Sequence, residues 1–416
     1  MIRTLPGLFV VLIAWLISPG SCRAQDVGQG VAQRPDWIAE ILDLPGSGTD
    51  YAAIDFEGLP RLAGDHAVIH GVAWSPGYTP DQPLTMEKMR LNLHNYLAHH
   101  EGRFWCIWSD GPQIEDWPTQ EVKFATSDDG LHWSPAKSVT GTPEEPYAFI
   151  ARGLWVRDGQ LLALAAHYRG KGAFGVNKEL ELWAYGWNPR TETWEFLSKV
   201  YDNAINNFPP QPLPDGNWIM TRRDARFNVS ILIGGRQRLD QWDVVPVVRM
   251  GEVPGFRPDE PIIWLMPDRS VQALFRDNGG SMRLYQSVSR DSGRTWETPV
   301  LTNFPNATSK IVSLGTSRGY RVLVSNANVR LARRELHLSV SSDGRRFTRM
   351  ARLDIPALAA PLGYETIWAK FAKGVASLQY PHVLEHDNCL YIALSRCKLQ
   401  TEVFRIPLDS IDALLK

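Results

Sequence analysis

Hydrophobic and polar residues along this chain alternate in short runs that read as β-strands. Residues 103–108 form one such run, and residues 282–288 and 297–300 flank a tight turn as two more. Gly153 to Leu164 reads as a hairpin folded at Asp158-Gly159, a pair suited to a two-residue turn. Gly-containing turns recur at Asp215-Gly216 and Arg318-Gly319. Helical spacing occurs at Asp36 to Leu44, where Trp37, Ile38, Ile41 and Leu42 are apolar and Gly46 and Gly48 follow as a stop. The ten-residue apolar run 8–17, preceded by Arg3 and broken by Pro19-Gly20, is too short to span a bilayer. With Cys22-Arg23-Ala24 behind it, residues 1–24 read as a secretory signal peptide, which places the mature protein outside the cytoplasm, secreted or periplasmic.

The turns between strands repeat. Ser289, Asp291, Gly293, Thr295 and Trp296 make a complete S-x-D-x-G-x-T-W turn: the Asp accepts backbone N–H groups, the Gly adopts a conformation other residues resist, and the Trp packs beneath. Ser127 to Trp133 is a copy one residue shorter, Ser341 to Phe347 carries Phe for Trp, and Trp187 to Trp194 is a decayed copy. The closing aromatics stand at 133, 194, 296 and 347, so the largest gap, 102, is twice the smallest, 51. A degenerate copy near Trp242 would complete a period of four-stranded blades. The fold expected is all-β: a six-bladed β-propeller of four-stranded antiparallel sheets, with seven blades as the alternative. Residues 91–416 would form the propeller, and residues 25–90 an N-terminal segment lying against it, a candidate for the outer strand that closes the last blade.

Composition narrows the class. Forty-four basic against 45 acidic residues exclude an electrostatic case for nucleic acid or a membrane surface. Sixteen Trp suit core filling and sugar platforms in a secreted β protein. Cys106, Cys389 and Cys397 remain after cleavage, an odd number without metal-ligand spacing; Cys106 sits in a strand and is expected to be buried. No cofactor and no metal are expected.

The turn motif resembles the Asp-box of the sialidase superfamily, and the resemblance extends over roughly residues 90–410. It implies an active site at the central mouth: an arginine clamp for a carboxylate, an Asp acid, and a Tyr nucleophile assisted by a Glu. In this sequence Glu260 and Arg276 match the family's Glu and second Arg, one hairpin apart and before the complete box. Arg333 is the choice for the third Arg, with Arg330 and Arg334 as rivals. Tyr380 takes the place of the nucleophile. Asp116, with Glu115 beside it, stands where the acid loop falls. The pattern breaks at the first blade, where His94-Asn95 replaces the first arginine; Arg152, from another blade, is a candidate for the missing guanidinium, and His70 and His94 could each reach a central pocket. The partner implied is a glycan bearing an acidic sugar, and the activity an exo-acting glycosidase. Two alternatives stand beside it. A His/Tyr/Arg site would serve a polysaccharide lyase, by β-elimination on a uronate, or a divergent glycosidase on a uronate-containing glycan, and a propeller without catalysis would simply bind carbohydrate. Glu260, Arg276 and Tyr380 do not recur with the repeat, which favours one central site.

Overall fold

The computed structural model describes residues 38–71, 79, 81–83, 85–357 and 377–416. The expected signal peptide lies outside these residues. Six four-stranded antiparallel sheets make a six-bladed β-propeller. The first blade is Arg90–His100, Arg103–Pro112, Glu121–Ser127 and Lys137–Ser138; the second Tyr147–Arg157, Gln160–Arg169, Glu181–Asn188 and Thr193–Asp202. The third is Gln211–Pro212, Trp218–Arg223, Val229–Gly234 and Trp242–Val248; the fourth Pro258–Leu265, Val271–Asp277, Arg283–Ser289 and Val300–Pro305. The fifth is Val312–Gly315, Arg321–Ser325, His337–Ser341 and Arg349–Leu353, with Arg61–Leu62 added in parallel at its outer edge. The sixth takes three strands from the C-terminal end, Leu378–His386, Cys389–Arg396 and Gln400–Pro407, and its outermost strand, Asp65–Gly71, from the N-terminal segment. That pairing ties the ends of the chain together. The N-terminal strands are used on the fifth and sixth blades, so no seventh blade forms among the described residues. Nor is any helix there long and apolar enough to cross a membrane.

Strand alternation places one face of each blade against its neighbour. Trp105 and Phe124 of the first blade meet Trp187 and Trp194 of the second, with Trp105 and Trp187 edge-on at 4.8 Å. Val322 and Leu338 of the fifth blade pack with Ile392 and Phe404 of the sixth. Each such side chain removed from water contributes about 1.5–3 kcal/mol. Much of the tryptophan is therefore seam filler. Cys106 is fully buried, and burial pushes its thiol pKa up. The Asp158-Gly159 turn has φ of 52° and 79°, the paired left-handed conformation a two-residue hairpin needs.

The helix expected at 36–44 does not form over its described part. Ala39 bridges to Thr302 and Leu42 to Phe347, and the Asn303 amide accepts from Ile41 N (2.9 Å) and Leu42 N (3.0 Å). Ile41, Leu42 and Leu44 are buried against the fourth and fifth blades. Partners from the blades satisfy the backbone of this extended segment, and tertiary burial overrides the local spacing.

The box turns join the third and fourth strands of their blades. Asp291 Oδ1 accepts from Arg294 N (3.0 Å) and Thr295 N (2.8 Å), Thr295 Oγ1 donates to Oδ2 (2.7 Å), and Trp296 Nε1 donates to Gly293 O (3.0 Å). Trp133 repeats that last bond to Gly130 O and Trp242 to Leu239 O, which identifies Trp242 as the degenerate copy. Strands alternate in direction, so these turns share a rim with the first hairpin of each blade, opposite the rim at which the innermost strands begin. Asp291→Ala should therefore lower stability by about 1–3 kcal/mol, the cost of unmade hydrogen bonds, and leave any turnover the folded protein supports unchanged. Lost turnover at an unchanged melting temperature would count against this placement.

Candidate active site

Four of the six innermost strands share one irregularity. Pairing with the second strand shifts register between Leu93 and Tyr96, Ala151 and Gly153, Asp259 and Ile262, and Gln379 and His382. The residues at these bulges are His94, Arg152, Glu260 and Tyr380. His94 (φ 57°), Glu260 (φ 41°) and Tyr380 (φ 56°) are left-handed, as is Thr308 (φ 47°) just before the inner strand of the fifth blade. Bulges re-aim side chains, and here they turn them from the blade seams to the axis. Left-handed non-glycine residues cost about 1–3 kcal/mol each, held only where surrounding structure imposes them. Pro261 and Pro381 follow two of the bulges and bring no N–H to be left unpaired. Asn207 Nδ2 donates to both Glu260 O and Pro261 O at 3.0 Å, locking the fourth-blade bulge.

Arg276, on the strand beside Glu260, donates to Glu260 Oε2 at 2.7 Å, and its charge also acts on the Tyr380 phenol. Tyr380, Glu260 and Arg276 thus form one electrostatically coupled group. Burial alone would raise the Glu260 pKa, but Arg276, Lys310 and Arg223 outweigh it and bring it down to about 2. Burial raises the Tyr380 phenol, and the charges of Glu260 and Glu115 add to that. Arg333 reaches across to Gln379 Oε1 (2.6 Å) and Thr308 O (2.6 Å), while its rival Arg330 is exposed.

His94 lies edge-on to Tyr380 with ring centroids 4.9 Å apart. Its Nδ1 is 3.0 Å from Ser109 Oγ and its Nε2 3.4 Å from Glu115 Oε1. Burial lowers its pKa to about 4, so the ring is neutral at physiological pH. Glu115 also pairs with Lys398. Asp116 accepts from Tyr168 Oη at 3.0 Å. Burial and the adjacent Glu115 charge raise its pKa to about 6. His70 is elsewhere: it stands on the outermost strand of the sixth blade, stacked on Trp108 and 3.8 Å from Asp110, in the seam between the last and first blades. Its position on an outer strand removes it from the axial group.

Sequence reasoning missed four members of this centre. Lys310, fully buried, donates to Tyr96 Oη at 2.9 Å and lies 5.8 Å from the Tyr380 ring centroid. Tyr96 Oη donates to Asn207 O at 2.8 Å. Arg223, buried, pairs with Asp259. Tyr96 and Asn207 carry no motif. Lys310 and Arg223 were legible only as charges at strand ends, where a surface position is the ordinary outcome. The Glu260-Pro261 and Tyr380-Pro381 pairs inside apolar strands were the available signal of a bulge.

Several solved structures share this fold. A protein of unknown function from Dyadobacter fermentans is 11% identical, with 82% of this chain and 98% of that chain covered and a TM-score of 0.59. Trypanosoma rangeli sialidase in complex with sialic acid is 13% identical, with 85% of this chain covered and a TM-score of 0.60; this chain spans 60% of that one. The NanB sialidase of Streptococcus pneumoniae is 11% identical, with 80% and 71% covered and a TM-score of 0.58. At such identities the likeness is one of fold. None of the curated proteins matches the chain. Residues 73–392 match the family described as BNR repeat-like domain. With its repeated box turns, its sialidase-like propeller and a family match over most of its length, the chain belongs to the BNR repeat-like domain family.

Proposed function

We propose that this protein is an exo-acting glycoside hydrolase that removes a terminal acidic sugar from a glycan. The observation that carries the reading is the meeting of Tyr380, Glu260 and Arg276 at the propeller axis. Arg276 and Arg333 take the sugar's carboxylate, since a guanidinium fork matches a carboxylate's two oxygens. The carboxylate competes with Glu260 for Arg276, and Glu260, losing part of its counter-charge, becomes basic enough to accept a proton. Tyr380 Oη then attacks the anomeric carbon and passes its proton to Glu260 as the glycosidic C–O bond breaks. Asp116 protonates the leaving oxygen. Water next attacks the same carbon, giving a proton to Asp116, and the departing phenolate recovers its proton from Glu260. A phenol suits this attack because a carboxylate nucleophile would repel the substrate's own carboxylate. Secretion or a periplasmic location, after cleavage near Ala24, rests on the leader-like residues 1–24.

A general acid of pKa about 6 works while protonated, so kcat/KM should fall as pH rises above about 6. Asp116→Asn should lower activity and remove that limb from the pH profile. A limb that persists in Asp116→Asn assigns the acid to another group.

A second reading is favoured by the edge-on contact of neutral His94 with Tyr380. On a uronate, His94 would remove the C5 proton, electrons would form the C4–C5 double bond, and the C4 oxygen would leave with a proton from Tyr380. Incubation with glycans ending in acidic sugars separates the two. The hydrolase releases a saturated free acidic sugar. An ultraviolet-absorbing unsaturated product overturns hydrolysis in favour of elimination, and binding without any product leaves a carbohydrate-binding propeller.

A further inference from the structure

Two guanidinium groups near the axis keep unused hydrogen-bond donors after the assignments above. Arg152 is buried, and its Nε has no hydrogen-bond partner among the described residues. Asn206 Nδ2 fixes its carbonyl at 3.0 Å, and its side chain lies against the Tyr96 hydroxyl. Arg223 pairs with Asp259, yet its Nε also lacks a hydrogen-bond partner. Its guanidinium sits 4.1 Å over the Phe174 ring and 5.3 Å from that of Phe227, which wall off this side. The acidic groups nearest Arg152 are engaged: Glu115 by Lys398 and His94, Asp116 by Tyr168.

Arg152 and Arg223 belong to the second and third blades, Arg276 and Arg333 to the fourth and fifth. In a ring of six, the second blade stands opposite the fifth, so Arg152 and Arg333 approach the axis from opposite sides. One planar carboxylate is filled by the guanidinium forks on one side. Burial brings the Lys310 pKa well below the ordinary lysine range, against the pull of the Glu260 carboxylate, its counter-charge. Guanidinium groups keep their charge, and buried donors left without a partner are costly.

We propose that Arg152 and Arg223 form a second anion subsite, so that the sugar bound at the axis carries a carboxylate and, toward the second and third blades, a tetrahedral oxyanion ester. The inference rests on the carboxylate reading of Arg276 and Arg333 but not on the bond-cleaving chemistry. It reassigns Arg152 from a substitute for the missing first arginine to a separate task.

The test is equilibrium binding of glucuronate and inorganic sulfate to the mature protein, alone and together, with inorganic phosphate in parallel. Both anions should bind at once, with saturating sulfate changing the glucuronate Kd by less than about twofold. Arg152→Met should weaken sulfate at least about tenfold and glucuronate less than about threefold, and Arg333→Met the reverse. Arg152→Lys, which keeps the charge without the fork, covers the case of a Met variant that fails to fold, and should lose sulfate affinity to an intermediate degree. One-for-one displacement of glucuronate by sulfate, or equal weakening of both by the Arg152 variants, overturns the second subsite. Joint binding without glycan cleavage would instead overturn the hydrolase and leave the subsite standing. Sulfate or phosphate, whichever binds more tightly, names the ester, and either supports the subsite.

Discussion

Replacing Tyr380 by Phe should lower turnover by about 10³-fold or more while changing affinity for the acidic sugar only a few-fold, because it deletes the reacting oxygen and little else. The ring would keep its edge contact with His94 and its place above Lys310. The interaction lost is the electrostatic one with Arg276, which retains Glu260 at 2.7 Å. Steady-state kinetics with parallel ligand titration checks this. A Phe variant with more than a tenth of the parent turnover would remove Tyr380 from the nucleophile's role. If the reaction is elimination, His94→Ala should be at least as damaging and the unsaturated product should vanish with it.

Glu260→Gln should be the most damaging substitution for stability and activity together. The amide keeps the shape but not the charge, and leaves Arg276, Arg223 and Arg333 gathered around a neutral group. Breaking one partner of a buried pair costs about 3–5 kcal/mol, and loss of a proton acceptor costs about 10²–10⁴ in rate. The pH dependence has a definite sign. Glu260 is held near pKa 2 against an ordinary 4.5, so the folded state favours its ionised form. Its contribution is complete above pH about 4.5 and is lost as pH falls toward about 2. The melting-temperature gap between the parent and Glu260→Gln should thus be widest above pH 4.5 and close on acidification. A gap independent of pH, or absent, would falsify the pairing as a source of stability.

How much was legible in the chain follows from the range of each interaction. The box turns are local: Asp291 binds the N–H groups of residues three and four positions on, and Trp296 returns to Gly293, so residue identity and spacing within eight positions suffice. Repetition of that local unit carried the fold class and the blade count, and the family resemblance pointed to Glu260, Arg276, Arg333 and Tyr380 as candidates. The helix expected at 36–44 was misread because its apolar spacing serves equally an extended segment whose partners, Asn303 and Phe347, lie about 300 residues away. Tertiary structure alone decided which charges face one another. Lys310 and Arg223 are ordinary residues at or beside strand ends until the inner strands converge, and four register shifts, invisible in hydrophobic alternation, turn the axial side chains, Arg152 among them, inward. The physical reason is that a side chain's protonation and partners depend on distances across the ring, which residues far apart in sequence set together and no local pattern encodes.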